Sequence, residues 1–193
     1  YHTNMIHKPS KIGVFAPSSY VDRDDVDASK SLLEASGAEV FVHPQTYLKY
    51  NQSAGTHKDK LDALHALYGD KGVDIIWAAG GGNRALHILD GIDFDLIRSN
   101  PKPMVGFSDV TALLNVITAK TGILNIHGPV FRQITSSQHW NGVLSNEFSI
   151  PLSKDGVVNE GKSEGRMFGG NLSLFQYLIN DIDLTGAIIF LED

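Results

Sequence analysis

The feature that most constrains this chain is a repeated alternation of short β-branched runs with segments of helical periodicity, beginning at Lys11. Five such runs predict strands: 11–16, 39–43, 74–78, 103–107 and 123–126. A strand that is followed each time by a helix builds a parallel sheet with helices on its faces. We therefore predict an α/β fold with a doubly wound, mostly parallel sheet.

The segments between these strands carry helix signals. Residues 22–36 form a predicted helix that Gly37 ends, and Thr56 stands where it can cap the next helix. One stripe of that second helix is predicted to face the sheet: Leu61, Leu64, His65 and Tyr68. A further helix is predicted over about 83–89, after three consecutive glycines.

The alternation fades beyond about Phe131, and a Gly/Ser/Lys-rich stretch follows. We therefore predict an N-terminal α/β domain over 11–135, a linker over 136–165 and the beginning of a truncated α/β or β-rich domain over 166–193. The last unit is predicted to contain a helix and a strand. The helix is expected to carry Leu172, Phe175 and Leu178, and the strand to span 187–191.

Charge and composition exclude several classes of function. The formal net charge of the 193 residues is -6, so no basic face is expected that could bind a nucleic acid or an anionic membrane. The chain has no cysteine, which excludes disulfides and thiolate metal sites and fits a cytoplasmic location. Its histidines show no ligand spacing, and we expect neither a metal nor a cofactor.

Ser108 is the first candidate for chemistry. It stands in Gly106-Phe107-Ser108-Asp109-Val110, between a predicted strand and a predicted helix. Such a turn can raise a hydroxyl over the sheet edge and aim helix amides at a developing oxyanion. Val110 replaces the last glycine of the G-x-S-x-G pattern, and Ser108 as a simple helix cap is the competing interpretation.

The loop Gly80-Gly81-Gly82 is the second candidate. Its glycines let backbone N-H groups approach a ligand, although a tight strand-to-helix turn would also explain them. The loop matches neither dinucleotide nor phosphate-loop patterns. Because ligands of such sheets bind at the carboxyl ends of the strands, Gly81, Ser108 and His127 should converge on one edge.

Several motifs occur together and in order: Gly80-Gly81-Gly82-Asn83-Arg84, Pro101-Lys102-Pro103, Gly106 to Leu113, His127-Gly128-Pro129, Gly169-Gly170-Asn171-Leu172 and Phe190-Leu191-Glu192-Asp193. With them the chain resembles the LD-carboxypeptidase family. The resemblance implies a serine peptidase with a Ser-Glu-His triad that cuts small murein peptides between an L- and a D-residue, and it suggests a homodimer. It equally covers the microcin C immunity peptidases, which cleave an aminoacylated nucleotide analogue.

The resemblance also implies residue roles. Ser108 becomes the nucleophile and Glu192 the triad carboxylate, which orients the base histidine. The Asp109 amide and that of Gly81 or Gly82 become the oxyanion donors. Asn83 and Arg84, beside the glycine loop, are candidates for binding a substrate carboxylate, since arginine pairs well with carboxylates.

The base histidine of the family lies well beyond its triad glutamate, whereas this sequence stops one residue after Glu192. Either the chain is a fragment of a longer enzyme, which we expect, or His127 substitutes as the base. In the first case His127 shapes the turn before Gly128 and lines the substrate site. A non-catalytic domain that binds a small ligand is the alternative from a different class of function.

Overall fold

The computed structural model describes residues 11–136, 156, 158–159 and 161–193. It contains seven strands and five α-helices within those ranges. The strands are β1 (Lys11–Phe15), β2 (Glu39–Val42), β3 (Ile75–Ala78), β4 (Met104–Gly106), β5 (Ile126–His127), β6 (Met167–Asn171) and β7 (Ile188–Glu192). The helices are α1 (Arg23–Ala35), α2 (His57–Gly69), α3 (Phe94–Ser99), α4 (Thr111–Thr121) and α5 (Leu172–Phe175).

The first five strands form one parallel sheet in the order β2-β1-β3-β4-β5. Alternate residues of its strands enter two separate cores, with Ile76 and Met104 on one face and Ile75 and Val105 on the other. The first core also contains buried side chains of α2 and α4, and the second contains those of α1. The sheet is therefore wound on both faces, as predicted.

The helix ends follow their local sequence. Thr56 and Asp59 form a reciprocal capping box at the start of α2. Gly37 has a φ of +87° just after α1, and Gly122 ends α4 with a φ of +79°. Both angles lie in the left-handed region, which glycine adopts at little cost. The predicted helix ends at these two glycines are confirmed.

The strands β6 and β7 pair in parallel as a separate two-stranded sheet, which packs on α4. Phe168, Phe175 and Leu178 share a buried cluster with Ala112 and Val116 of α4. The Asn115 side chain donates from Nδ2 to the Gly169 carbonyl oxygen at 2.7 Å and accepts from the Gly169 amide at 2.8 Å. Helix α4 is thus covered on both sides, by the main sheet and by this pair.

Four local expectations were wrong. The segment predicted as a helix over 83–89 is a 3-10 helix, Ala85–Gly91, and α5 ends at Phe175 before it reaches Leu178. The fifth strand includes His127 rather than ending before it. In α2 the predicted stripe is right only in part: Leu64 and Tyr68 are buried, but Leu61 and His65 are half-buried. The other buried residues of α2 are Lys60, Ala63 and Leu67.

Most of the predicted linker, 136–165, falls outside the described residues, so the predicted domain boundaries stay predictions. None of the helices within 11–136 and 161–193 has the length and apolar character that crossing a bilayer requires.

Candidate active site

Ser108 lies in a sharp turn between β4 and α4. Its φ is +59°, in the left-handed region that a residue with a side chain adopts at a cost. Ser108 begins a 3-10 turn, Ser108–Val110, and it is not a cap residue: Phe107 precedes that turn and Val110 precedes α4. The interpretation of Ser108 as a simple helix cap is therefore wrong. Strained backbone at a strand-to-helix turn is typical of an exposed nucleophile.

The departure from G-x-S-x-G has a steric explanation. A methyl group added to Gly106 would lie 2.7 Å from Cγ1 of Val110, so the two ends of the turn are in close contact. The absence of a side chain at Gly106 makes room for the one at Val110. One glycine therefore suffices for helix α4 to approach the strand, and the second glycine of the pattern is not needed.

The glycine loop lies beside this turn. A methyl group on Gly81 would be 3.4 Å from Cβ and 3.5 Å from Oγ of Ser108. Gly82 has a φ of +150°, and a methyl group there would be 2.5 Å from Oγ of Ser18. The amide of Ser19 donates to the Gly81 carbonyl oxygen at 3.4 Å. The loop therefore follows a fixed path that brings main-chain atoms close to Ser108.

The Asp109 carboxylate fastens the loop to the turn. It is 1% exposed, and its Oδ2 accepts from the amides of Arg84 and Ala85, each at 2.8 Å. The hydroxyl of Ser18 donates to the same oxygen. Hydrogen bonds to a carboxylate are stronger than neutral ones. One buried side chain thus joins the segments that follow β1, β3 and β4.

Sheet topology explains why these segments meet. The chain moves outward from β1 to β2 on one side and from β3 to β5 on the other, so β1 and β3 are neighbours at which the direction reverses. Loops that leave such a pair diverge and open a crevice at the carboxyl ends of the strands. Ser18 and the glycine loop line this crevice, and Ser108 follows the next strand, β4. The predicted convergence of Gly81 and Ser108 is present.

His127 pairs with Gly106 across β5 and β4. Its ring makes edge contacts with Phe107 and Phe190, at centroid distances of 6.3 and 5.5 Å. Desolvation by the surrounding protein lowers the pKa of His127 below 6.5, and the charge of Glu192 partly opposes this. The imidazole is thus favoured in its neutral form, with β7 beside it.

Glu192 reaches the same region from the second unit. It is half-buried, and its Oε1 is buried without a hydrogen-bond partner among the described residues. Most buried carboxylate oxygens in proteins have a donor, so an unpaired one marks a position where a donor fits. A small cavity, lined by His127 and Phe190 among others, lies between α4 and the second sheet.

The remaining predicted site residues are Asn83 and Arg84. Asn83 is exposed at the end of the glycine loop. Arg84 is half-buried, and its Nε is buried without a hydrogen-bond partner in the described part of the chain. Between residues 11 and 136 and in 161–193, no histidine donates to or accepts from Ser108. The described residues contain no group of three or more metal-ligating side chains.

Two residues of the site were missed from the sequence. Ser18, which directly follows the first strand at the same edge as the glycine loop, could have been found from its position. Lys60 is fully buried on α2, where burial lowers its pKa to about 8 and the charge of Asp109 partly opposes this. Its spacing to Leu64 and Leu67 is that of a buried stripe, but a lysine on a helix is normally placed in solvent.

Comparison with known proteins gives three consistent results. Residues 12–128 match the model of the LD-carboxypeptidase N-terminal domain. The "Probable murein peptide carboxypeptidase" of Bacillus subtilis is 31% identical over 207 residues, covering 100% of this chain and 65% of that protein. The Escherichia coli "Microcin C7 self-immunity protein MccF" is 29% identical, covering 94% of this chain and 66% of that protein.

A solved structure agrees in fold. The muramoyltetrapeptide carboxypeptidase of Oxalobacter formigenes superposes with a TM-score of 0.82 at 26% identity, covering 95% of this chain and 65% of that one. The chain therefore spans about two thirds of the length of the relatives it matches.

Proposed function

This chain belongs to the LD-carboxypeptidase family, and on that premise we propose that it is part of a serine carboxypeptidase that hydrolyses an L,D-peptide bond in murein-derived peptides. The observation that carries the proposal is the strained turn at Ser108. The Ser108 side chain, which is not at a helix cap position, is held there beside a glycine loop. Attack by Ser108 on the peptide carbonyl would give an acyl-enzyme, which water then hydrolyses.

Main-chain donors would stabilise the tetrahedral intermediate. We assign this role to the amide of Asp109 and to that of Gly81 or Gly82. Such donors act in a fixed geometry and lose little energy to reorganisation when negative charge develops. The buried hydrogen bonds of the Asp109 carboxylate to Arg84 and Ala85 support the assignment, because they hold the loop against the turn.

Glu192 would be the triad carboxylate. Its unpaired, buried Oε1 supports this, since a histidine N-H is the donor that such an oxygen lacks. We assign the base to a histidine that the family carries beyond its triad glutamate. His127 is the alternative base, and otherwise lines the substrate site with Asn83 and Arg84. We further propose a cytoplasmic homodimer that needs no metal or cofactor.

The test compares Ser108→Ala with the wild type, both as the complete enzyme, on a muropeptide that ends in a D-residue. Loss of the nucleophile should lower kcat by at least about 10⁴-fold. Ser31→Ala is the matched control, because Ser31 is exposed on α1 and its hydroxyl donates to the Asp27 carbonyl oxygen of its own helix. Undiminished cleavage by Ser108→Ala would remove Ser108 from the mechanism.

Two further measurements separate the alternatives. Turnover of a nucleotide-linked aminoacyl amide, with the muropeptide left intact, would favour the immunity-type activity, which the likeness to the Escherichia coli protein supports. A fluorophosphonate labels only an activated serine. If it fails to label Ser108 in a protein that still binds the muropeptide, the site is a binding site without catalysis.

A further inference from the structure

Helix α4 presents two buried polar side chains to the second sheet. Thr111 and Asn115 are 0% and 4% exposed, and they are four residues apart, so they lie on one face of the helix. Beside them, Ala112 and Val116 belong to the buried apolar cluster that α4 shares with β6 and α5. Polar groups that are buried this completely normally have hydrogen-bond partners.

The partners of these two side chains are backbone groups of β6. Asn115 bonds to both the amide and the carbonyl oxygen of Gly169, and Oγ1 of Thr111 accepts from the Asn171 amide at 3.1 Å. A strand at the edge of a sheet has a row of unpaired N-H and C=O groups, which a covering element must satisfy. Two side chains of α4 thus take the place of a neighbouring strand.

Gly170 allows β6 to approach α4 this closely. Its φ is +116°, and a methyl group there would lie 2.7 Å from Oγ1 of Thr111 and 3.1 Å from Nδ1 of His127. A side chain at this position would therefore force β6 away from the start of α4. The close approach of the two elements explains why the motif that ends in Asn171 has glycine before it.

The Thr111 hydrogen bond connects two residues of the proposed mechanism. Thr111 is the first residue of α4, three residues after Ser108. Asn171, whose amide it accepts from, is paired with Glu192 in the register of β6 and β7. Neighbouring strands are about 4.8 Å apart, so a shift of β6 relative to α4 would move Glu192 relative to Ser108.

We propose that Thr111 is a positioning residue for the proposed active site: its hydroxyl holds β6 against the start of α4 and thereby sets the separation between Ser108 and Glu192. The effect on catalysis rests on the proposed function, whereas the hydrogen bond to Asn171 is independent of any reaction. Thr111 acts through β6 and does not touch the reacting atoms.

The experiment compares Thr111→Val with Thr111→Ser, both in the complete enzyme acting on a muropeptide that ends in a D-residue. Valine keeps the shape of the side chain and removes the acceptor, whereas serine keeps the acceptor and removes a methyl group. We expect Thr111→Val to lower kcat about 10–100-fold with KM changed less than about twofold, because small displacements of reacting groups have effects of this size. Thr111→Ser should stay within about threefold of the wild type. A role in packing alone predicts the opposite order.

Thr118→Val is the matched control. Thr118 is buried on the same helix, and its Oγ1 accepts from Nδ2 of Asn125 at 3.0 Å, within the first region. The substitution therefore removes a comparable buried acceptor without touching β6. It should leave kcat unchanged.

Two measurements without turnover follow the position of the second sheet. The Asn171 amide should be protected from hydrogen exchange in the wild type, and it should exchange about tenfold faster in Thr111→Val but not in Thr118→Val. The nuclear Overhauser effects between the rings of His127 and Phe190, whose centroids are 5.5 Å apart, should weaken in Thr111→Val.

The proposal is overturned if Thr111→Val keeps the wild-type kcat, or if Thr111→Ser or Thr118→Val loses as much activity as Thr111→Val. It is also overturned if the wild-type Asn171 amide exchanges as fast as an unprotected one, a measurement that needs no variant to fold. Full activity of Ser108→Ala would instead count against the proposed function. The exchange of Asn171 would then still show whether the Thr111 hydroxyl holds β6.

Discussion

The main sheet and the β6–β7 pair are both parallel, but they differ in how they are supported. All four residues of β3 are buried, because helices cover both faces of its sheet. No residue of β7 is fully buried, and Ile189 and Leu191 are 43% and 48% exposed. The first region holds Ser108 by its own packing, whereas the second holds Glu192 through its contacts with α4.

The largest expected effect is on the free energy of unfolding, and it is tested by replacing one apolar residue in each sheet. Ile76→Ala removes a fully buried side chain of β3 and should cost about 2–5 kcal/mol in the free energy of unfolding. Ile189→Ala, on the exposed face of β7, should cost less than about 0.5 kcal/mol. Chemical denaturation measures both. Equal losses would contradict the contrast between the two regions.

A smaller effect is expected where the regions join. Asn115→Ala removes both hydrogen bonds to Gly169 and should lower the local stability of β6 and β7 by about 1–3 kcal/mol. Hydrogen exchange should then show faster exchange in β6 and β7 and unchanged exchange in β3. Asn125→Ala is the control, because that amide bonds to Met104 and Leu114 within the first region. If β6 and β7 keep their protection in Asn115→Ala, other contacts hold them.

The smallest expected effect is a change in the pKa of His127 that is caused by a charge in the second region. The pKa of His127 is lowered by desolvation, and the Glu192 charge opposes that. Glu192→Gln should therefore lower the pKa of His127 further, as measured by NMR titration, while Asp193→Asn, at the exposed next residue, should change it less. An unchanged pKa in Glu192→Gln would mean that β7 does not hold its carboxylate near His127.

The same lowered pKa predicts how stability depends on pH. Between the pKa of folded His127 and its ordinary value of 6.5, the unfolded chain binds more protons at this residue than the folded chain does. The stability that comes from this difference in proton binding is fully present above pH 6.5. It is lost as the pH falls from 6.5 towards the pKa of folded His127. Replacing His127 with a residue that does not titrate should remove this part of the pH dependence.

The parallel sheet and its helices could be predicted from sequence, because periodicity and glycine caps are local signals. Gly37, Thr56 and Gly122 end or begin their helices as expected. The extent of α5 could not be predicted, because its apolar side chains fit a helix pattern that continues past Phe175. The stripe of α2 was predicted only in part, because a lysine is rarely buried and Lys60 is in the core.

The site was predicted in part. The convergence of Ser108 with Gly81 follows from topology alone, because both follow neighbouring parallel strands. The role of the Asp109 side chain could not be predicted from topology. Only the three-dimensional structure shows that its carboxylate accepts from amides 24 and 25 residues away. The unpaired oxygen of Glu192 is likewise visible only when the second sheet is placed against the first.

The backbone conformation of Ser108 also bears on what kind of selection maintains this chain. A side chain at a φ of +59° costs roughly 1–2 kcal/mol that a glycine would not. A folded chain with glycine at this position would therefore resist heat and proteolysis better than the natural one. If persistence of the fold were the whole requirement, residue 108 would be among the first places to gain by losing its side chain altogether.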